Sequence, residues 1–333
     1  MSRALLPLSP NLPADLLAEI EGAQETLAAA KASSTQKAYA SDWDRFCTFC
    51  EARNVEALPA HPDVVALFAH VEAEAGIAPV TIGRRIAAIN HHHKESGFAS
   101  PIARDGAGVI AQMMAGVRRK YARKKKQKAP AEADVLKAML ATIEGEGLRA
   151  LRDRAILAVG MAGALRRSEL AAMQLSDLQF VEAGLRITIP KSKRDQEGHG
   201  QVIAIPDGRF IRPVALLRDW LTAAELDRAD PISGKPPIGP VFRRLTRSDA
   251  LTISAITDKT VARLVKATAA AAGLDEAIYS AHSLRAGFLT QAAADRANLF
   301  KMKDHSRHKS LETVAEYVRD AAMFDDHAGQ DFL

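Results

Sequence analysis

Four short stretches in the later part of the chain carry more polar chemistry than packing alone requires: GALRRSEL, KSKRDQ, AHSLRAG and RHKSLETVAEY. In the first, Arg166 and Glu169 are three residues apart, on one helical face, so the carboxylate can brace the guanidinium. In the second, Lys193 directly follows Ser192. The third repeats the three-residue spacing with His282 and Arg285, and places Ser283 beside them as a candidate cap. The fourth holds His308 and, nine residues later, Tyr317, one of four tyrosines in the chain. On one continuous helix, nine steps of about 100° would put these two on opposite faces. Ser310 offers a way out, because it can cap a helix that starts at Leu311, with Glu312 suiting the positive helix end. His308 then lies on the turn before that helix and Tyr317 projects from its second turn. Two arginines supply planar forks for the oxygens of an anion, a geometry that lysine does not offer.

These residues need elements to carry them. SSTQKAYASDWDRFCTFCEARN, HPDVVALFAHVEAEAG and TIGRRIAAINHHHKESG each repeat apolar residues at helical intervals, and a fourth helical pattern runs from about Val109 into a basic run. Together they predict a compact helical domain. The composition changes at Ala129–Pro130, which sets the expected domains at 1–128 and 129–333. In the second, ADVLKAMLATI and RALRDRAILAVGMAGALRRSELAAMQLSDL read as helical. LRITIP and QVIAIP read as strands of a hairpin whose long polar tip is KSKRDQEGHGQ. Helical patterns return from about Phe210 and continue to the end, broken by DPISGKPPIGP. The fold class expected is mainly α with a small β-hairpin or sheet, in two domains.

Composition narrows the function. A chain of 333 residues suits two domains, and 47% hydrophobic with 26% charged residues is ordinary for a soluble protein. The net charge of +5 is modest, but the positive residues cluster: RRKYARKKKQK, residues 118–128, contains no acidic residue. Arg118, Arg119, Lys120, Arg123, Lys124 and Lys125 are therefore candidates for phosphate contact. No segment approaches the roughly 20 apolar residues of a membrane span, and the opening MSRALLPLSPNLP is too proline-rich for a secretory signal, so a cytoplasmic protein is expected. Cys47 and Cys50 are the only cysteines, too few for a disulfide framework, and no second CxxC completes a zinc site. Consecutive His91, His92 and His93 point about 100° apart on a helix and do not converge on one ion. No metal or other cofactor is expected.

The ordered set Arg166 with Glu169, Lys193, His282 with Arg285, His308 and Tyr317 resembles that of the tyrosine recombinases, the phage integrase family. The resemblance covers most of the chain, and SSTQKAYASDWDRF and TIGRRIAAIN are similar to the family's helical core-binding domain. It implies a C-shaped clamp around double-stranded DNA, with strands cut and rejoined without metal or ATP. Arg166 and Arg285 would hold the phosphate, with Glu169 as brace. Tyr317 would attack phosphorus to give a 3′-phosphotyrosyl DNA and a free 5′-hydroxyl. His282 would act as general base or orienter, Lys193 would protonate the leaving 5′-oxygen, and His308 would donate a hydrogen bond to the phosphate. Arg84, Arg85 and Lys259 become candidates for the major groove.

The same resemblance implies a tetramer on DNA, a monomer when free, and a tail whose Met323, Phe324, Phe332 and Leu333 dock into a neighbouring subunit. Two features depart from the family's pattern: Arg307 stands where a glycine is usual, and Lys191 and Arg194 flank Lys193. Two rivals use the same residues differently. A type IB topoisomerase would relax DNA as a monomer, against which the helical first domain and the tail argue. An architectural DNA-binding protein would keep the fold without catalysis, against which the full set of side chains argues.

Overall fold

The computed structural model describes residues 13–29, 33–122, 128–190, 200–229 and 234–321. Lys193, Arg123, Lys124, Lys125 and the tail beyond 321 lie outside them. The chain divides into two compact units, 1–125 and 126–333. Among the described residues no helix is long and apolar enough to cross a membrane.

The first unit is built from α1 (Ala14–Ala29), α2 (Ser33–Glu51), α3 (Pro62–Glu74), α4 (Pro79–Glu95) and α5 (Gly108–Tyr121). The pattern of apolar residues predicts the last four; α1 escaped because its sequence, ADLLAEIEGAQETLAA, offers a narrow apolar face, of which Ile20 is buried. Prolines sit in the first turns of α3 and α4, where no helical hydrogen bond is lost. Phe46, Phe49 and Cys50 of α2 pack on Phe68 of α3 and Ile82 and Ile89 of α4 to form the core. The three histidines diverge. His93 is buried, accepting at Nε2 from the Ala60 N–H (2.8 Å) and donating from Nδ1 to the Ile89 carbonyl (2.8 Å). His92 stacks on Trp43 at 4.8 Å between ring centres, and the His91 ring lies 5.3 Å from Tyr39.

The second unit runs α6 (Ala133–Ala141), α7 (Leu148–Ala162), α8 (Arg167–Ala172), β1 (Leu178–Val181), β2 (Gly184–Ile189), β3 (Gln201–Pro206), α9 (Pro213–Ala223), β4 (Arg243–Leu245), β5 (Leu251–Ala255), α10 (Asp258–Ala271), α11 (Ala281–Ala294), α12 (Leu299–Ser306) and α13 (Leu311–Ala321). Strands β2 and β3 form the predicted hairpin, with Leu185 opposite Ile205 and Ile187 opposite Ile203, and β1 adds a third antiparallel strand. Leu185, Ile187 and Ile189 face the core while Arg186 and Thr188 face water, the period-two pattern of a half-buried strand.

Two expectations need correction. The long helical stretch before LRITIP breaks at Gly163 and Ala164, the latter at φ +44°, and its end is a strand. The region after Phe210 is not helical throughout: RRL and LTISA pair as the antiparallel strands β4 and β5. The turn between them places Asp249 at φ +63°, and the β-branched Thr252 and Ile253 suit an extended chain.

Helix α7 is the spine of this unit: from Ala155 to Met161 every residue is buried, as expected of a helix surrounded by others. Helix α11 lies against the segment that opens the unit. The Ala131 N–H donates to the Ser283 carbonyl at 2.9 Å, and the backbone of Ala131 comes so close that a β-carbon on Gly287 would sit 1.9 Å from its oxygen. Backbone cannot yield as a side-chain tip can. Gly287→Ala should therefore cost about 3 kcal/mol or more of unfolding free energy. Gly116→Ala, on the exposed face of α5 with open space around it, should gain about 1 kcal/mol. Denaturant melts of both variants check this, and equal midpoints would contradict the packing described.

Candidate active site

The site is assembled from the turn after α7, the start of α11, and the α12–α13 connection. Helix α7 ends at Gly163, and the left-handed Ala164 turns the chain so that Arg166 becomes the N-cap of α8. Glu169, three residues on, accepts the Arg166 backbone N–H at Oε2 (2.8 Å) and pairs through Oε1 with the Arg166 guanidinium. One carboxylate thus fixes both the main chain and the side chain of Arg166.

Helix α11 presents His282 and Arg285. Its cap is Ser280, whose hydroxyl accepts the His282 N–H (3.2 Å), and not Ser283 as the sequence reading supposed. Ser283 instead accepts the Ser280 N–H at 3.0 Å, completing a reciprocal cap while fully buried. His282 is exposed, whereas Arg285 is only 2% exposed. The Arg285 guanidinium donates to the Ala164 carbonyl (2.7 Å), and its Nη2 lies 3.3 Å from His308 Nδ1.

Helix α12 stops at Arg307, which adopts φ 57°, ψ 42°, the left-handed conformation common at helix ends. His308 follows on the turn, and the Ser310 hydroxyl accepts the Glu312 N–H at 3.1 Å, so α13 starts where the spacing predicts. Tyr317 stands on the second turn of α13, half-buried against a cluster of Leu289, Met302 and Val314. The helix break before Leu311 frees His308 and Tyr317 from the opposite faces that one continuous helix would give them.

Two residues of this site escaped the sequence reading as participants. Ser306, fully buried, lies 2.8 Å from His308 Nδ1 and donates to the Met302 carbonyl (2.6 Å). Arg307 entered that reading only as an unusual residue in a turn. Its side chain is buried and donates to Glu169 Oε2 (2.8 Å), to the carbonyls of Ala164 (3.1 Å) and Gly163 (3.3 Å), and to that of His305 (2.8 Å). Its own carbonyl accepts from Arg166 Nη2 at 3.1 Å. The one advance signal was chemical: an arginine beside a histidine in a tight turn.

Two guanidinium groups, of Arg166 and Arg307, therefore pair with one carboxylate, and a third, of Arg285, shares the Ala164 carbonyl with Arg307. Burial pushes the Glu169 carboxyl up, but the Arg307 charge, the Arg166 N–H and the Arg166 charge outweigh it and hold the group below its ordinary range. Burial, reinforced by the charges of Arg166 and Arg307, pushes Arg285 down to about 9. Burial and the neighbouring cations, Arg285 first, push His308 down to about 4, so its ring is neutral near pH 7. Arg285 Nη2 lies within reach of both ring nitrogens, 3.3 Å from Nδ1 and 3.4 Å from Nε2, and the Ser306 hydroxyl stands 2.8 Å from Nδ1. Burial raises the Tyr317 phenol while the Arg285 charge lowers it, which places the hydroxyl within that cation's field. Three guanidinium charges against one carboxylate leave the cluster net positive.

The other candidates sit on other elements. Lys259 is exposed in the first turn of α10. Arg118, Arg119 and Lys120 are exposed in the last turn of α5, with Lys120 3.4 Å from Glu74. Arg84 makes a two-pronged pair with the buried Asp42 (2.8 and 3.0 Å), its own side chain half exposed. Arg85 is a correction: it is largely buried, paired with Glu72 and 3.5 Å from Asp42, so it braces the interior of its unit and does not lie open to a groove. Among the described residues no three His, Cys, Asp or Glu side chains group as metal ligands do.

Comparison with known proteins places this geometry in a family. The family model for the phage integrase family matches residues 131–323. An integrase/recombinase xerD homolog from Selenomonas ruminantium is 36% identical over 308 residues, 92% of this chain and 87% of that protein. A tyrosine recombinase XerC from Pelobacter propionicus is 26% identical over 288 residues, 85% of this chain and 84% of that one. Among solved structures, a XerH site-specific recombinase in a post-cleavage complex with palindromic difH substrate superposes with a TM-score of 0.56 at 20% identity, over 80% of this chain and 70% of that one. A lambda integrase (75-356) dimer bound to a COC′ core site gives 0.54 at 17% identity, over 90% and 94%.

Because His308 takes up a proton less readily in the folded chain than in the unfolded one, the unfolded chain binds more protons between about pH 6.5 and pH 4. The stability this depressed group contributes is complete above pH 6.5 and is lost as pH falls through that window. An NMR titration of the imidazole should show His308 neutral at pH 6 with a midpoint near 4; a midpoint near the ordinary 6.5 would contradict the burial and cationic surroundings described.

Proposed function

The chain belongs to the phage integrase family and is a tyrosine-type site-specific DNA recombinase; from that premise we propose that Tyr317 is its nucleophile and that strand exchange passes through a 3′-phosphotyrosyl intermediate, without metal or nucleotide cofactor. In this reading the scissile phosphate is the anion that the guanidinium cluster awaits. Arg166, braced by Glu169, and Arg285, braced by the Ala164 carbonyl, turn their remaining N–H groups to its non-bridging oxygens. His308 donates a hydrogen bond to it.

The Tyr317 oxygen then forms a bond to phosphorus as the bond from phosphorus to the 5′-oxygen breaks. The phenolic proton passes to His282 or to water that it orients, and Lys193 gives a proton to the departing 5′-oxygen. The Arg285 charge lowers the phenol against the burial that raises it, and the anionic phosphate disfavours a free phenolate, so the proton leaves as the bond to phosphorus forms. In the return step the 5′-hydroxyl of a second DNA end attacks the phosphotyrosine, and the tyrosine oxygen leaves. One ester replaces another throughout, so no ATP is consumed.

The single observation that carries this reading is the buried Arg285 touching both the Arg166 turn and His308, with its charge acting on Tyr317. The remaining features extend it. The exposed Arg118, Arg119 and Lys120, with Arg123, Lys124 and Lys125 following in sequence, would give salt-dependent phosphate contact, and Arg84 and Lys259 are the candidates left for sequence contact. Residues 1–128 would serve as the core-binding domain and 129–333 as the catalytic one. Four subunits would assemble on two duplexes, the free protein being a monomer that acts in the cytoplasm.

The test uses a nicked suicide duplex carrying the sequence that the protein protects from nuclease. The wild-type chain should leave a denaturation-resistant protein–DNA adduct. Tyr317→Phe should shift the duplex normally and leave none. Arg166→Ala and Arg285→Ala should each slow adduct formation by about 100-fold or more. A wild-type chain that shifts the duplex without any adduct would instead be a silent DNA-binding member of the family, and an adduct in Tyr317→Phe would assign the nucleophile elsewhere.

A further inference from the structure

We infer that Arg307 is a positioning residue for the phosphate clamp: its guanidinium fixes Glu169, and through Glu169 it sets the fork of Arg166. The inference rests on the assignment of Arg166 to the scissile phosphate.

The backbone gives the first argument. Position 307 closes α12 in the left-handed region, where a β-carbon costs about 1–2 kcal/mol that glycine avoids. Within the turn the side chain has one acceptor, the His305 carbonyl, and its other acceptors lie on distant segments. Electrostatics gives the second. The side chain is 4% exposed and lies beside the Arg166 guanidinium, so desolvation and like charge oppose its burial, and the Glu169 carboxylate is the charge that offsets them.

What the side chain touches gives the third. Glu169 has two oxygens: Oε1 pairs with the Arg166 guanidinium, while Oε2 accepts from the Arg166 backbone N–H and from Arg307 Nη2, each at 2.8 Å. Arg307 therefore stops the carboxylate from rotating away from Arg166. Its main-chain carbonyl accepts from Arg166 Nη2 on the other side. Its fork also grips the Ala164 carbonyl that receives Arg285 (3.1 and 2.7 Å). Both terminal nitrogens of Arg307 are thus turned to protein acceptors, which separates its role from that of the two arginines assigned to phosphate.

A bland alternative exists: Arg307 merely satisfies the carbonyls at the end of α7. The full-length chain separates the two. Arg307→Gly and Arg307→Asn both suit the left-handed turn and remove the guanidinium. Each is compared with wild type for thermal midpoint, affinity for the protected duplex, and single-turnover rate of adduct formation on the suicide duplex. Each change is also combined with Arg166→Lys.

The expected result is duplex affinity within about 2-fold of wild type and cleavage slowed by about 10- to 100-fold, the scale of a misplaced reacting geometry. In the Arg166→Lys background the same changes should slow cleavage by less than about 3-fold, because the residue they act through is already gone. Cleavage at the wild-type rate in both variants overturns the inference. So does a loss that simply tracks weaker binding and a lower melting point in both, or one that multiplies in full with Arg166→Lys. A wild-type chain with no Tyr317-dependent adduct removes the recombinase chemistry and this inference together, whereas a normal adduct with unaffected Arg307 variants removes this inference alone.

Discussion

Two guanidinium groups paired to one carboxylate, with a third sharing a carbonyl beside them, are the constraint on which the rest of this protein depends. Like charges do not collect in a protein interior without compensation, and Glu169 with the backbone carbonyls of Gly163, Ala164 and His305 supplies only part of it. The remaining positive charge keeps His308 neutral, and that of Arg285 lowers the Tyr317 phenol against the burial that raises it. In the proposed reaction an anionic phosphodiester would balance that charge.

The fold is organised to hold that arrangement. Helix α7 is buried for most of its length and delivers the Gly163–Ala164 turn to a fixed position. Helix α11 is locked from behind by the close approach of Ala131 to Gly287 and capped in front by Ser280 and Ser283, so Arg285 has little freedom. The break between α12 and α13 puts His308 on a turn and Tyr317 on a new helix, with His308 touching Arg285 and Tyr317 within its field. Rigid supports of this kind let a few hydrogen bonds set a reacting geometry.

Much of this was legible in the amino-acid sequence, and the reasons are physical. The helices of the first unit, the β2–β3 hairpin and the restart at Leu311 are written in local periodicity and capping, which depend on residues close in the chain. The three-residue spacings of Arg166 with Glu169 and of His282 with Arg285 are local too. Strands β4 and β5 were not legible, because three and five residues in a largely helical context leave a short pattern that pairing decides. Arg85 was misjudged because its partners, Asp42 and Glu72, come from other helices. Arg307 has the same explanation: its acceptors include carbonyls and a carboxylate about 140 residues away, and no window of sequence contains them.

The most direct test is chemical. After reaction with a suicide duplex, nuclease trimming and trypsin digestion, mass spectrometry would locate the nucleotide left on the protein. Trypsin should release residues 310–319, SLETVAEYVR, whose single tyrosine is Tyr317. The account predicts that this peptide alone carries the nucleotide, attached to the phenolic oxygen through a 3′-phosphate. A nucleotide on a different peptide, or attached through a 5′-phosphate, would contradict it.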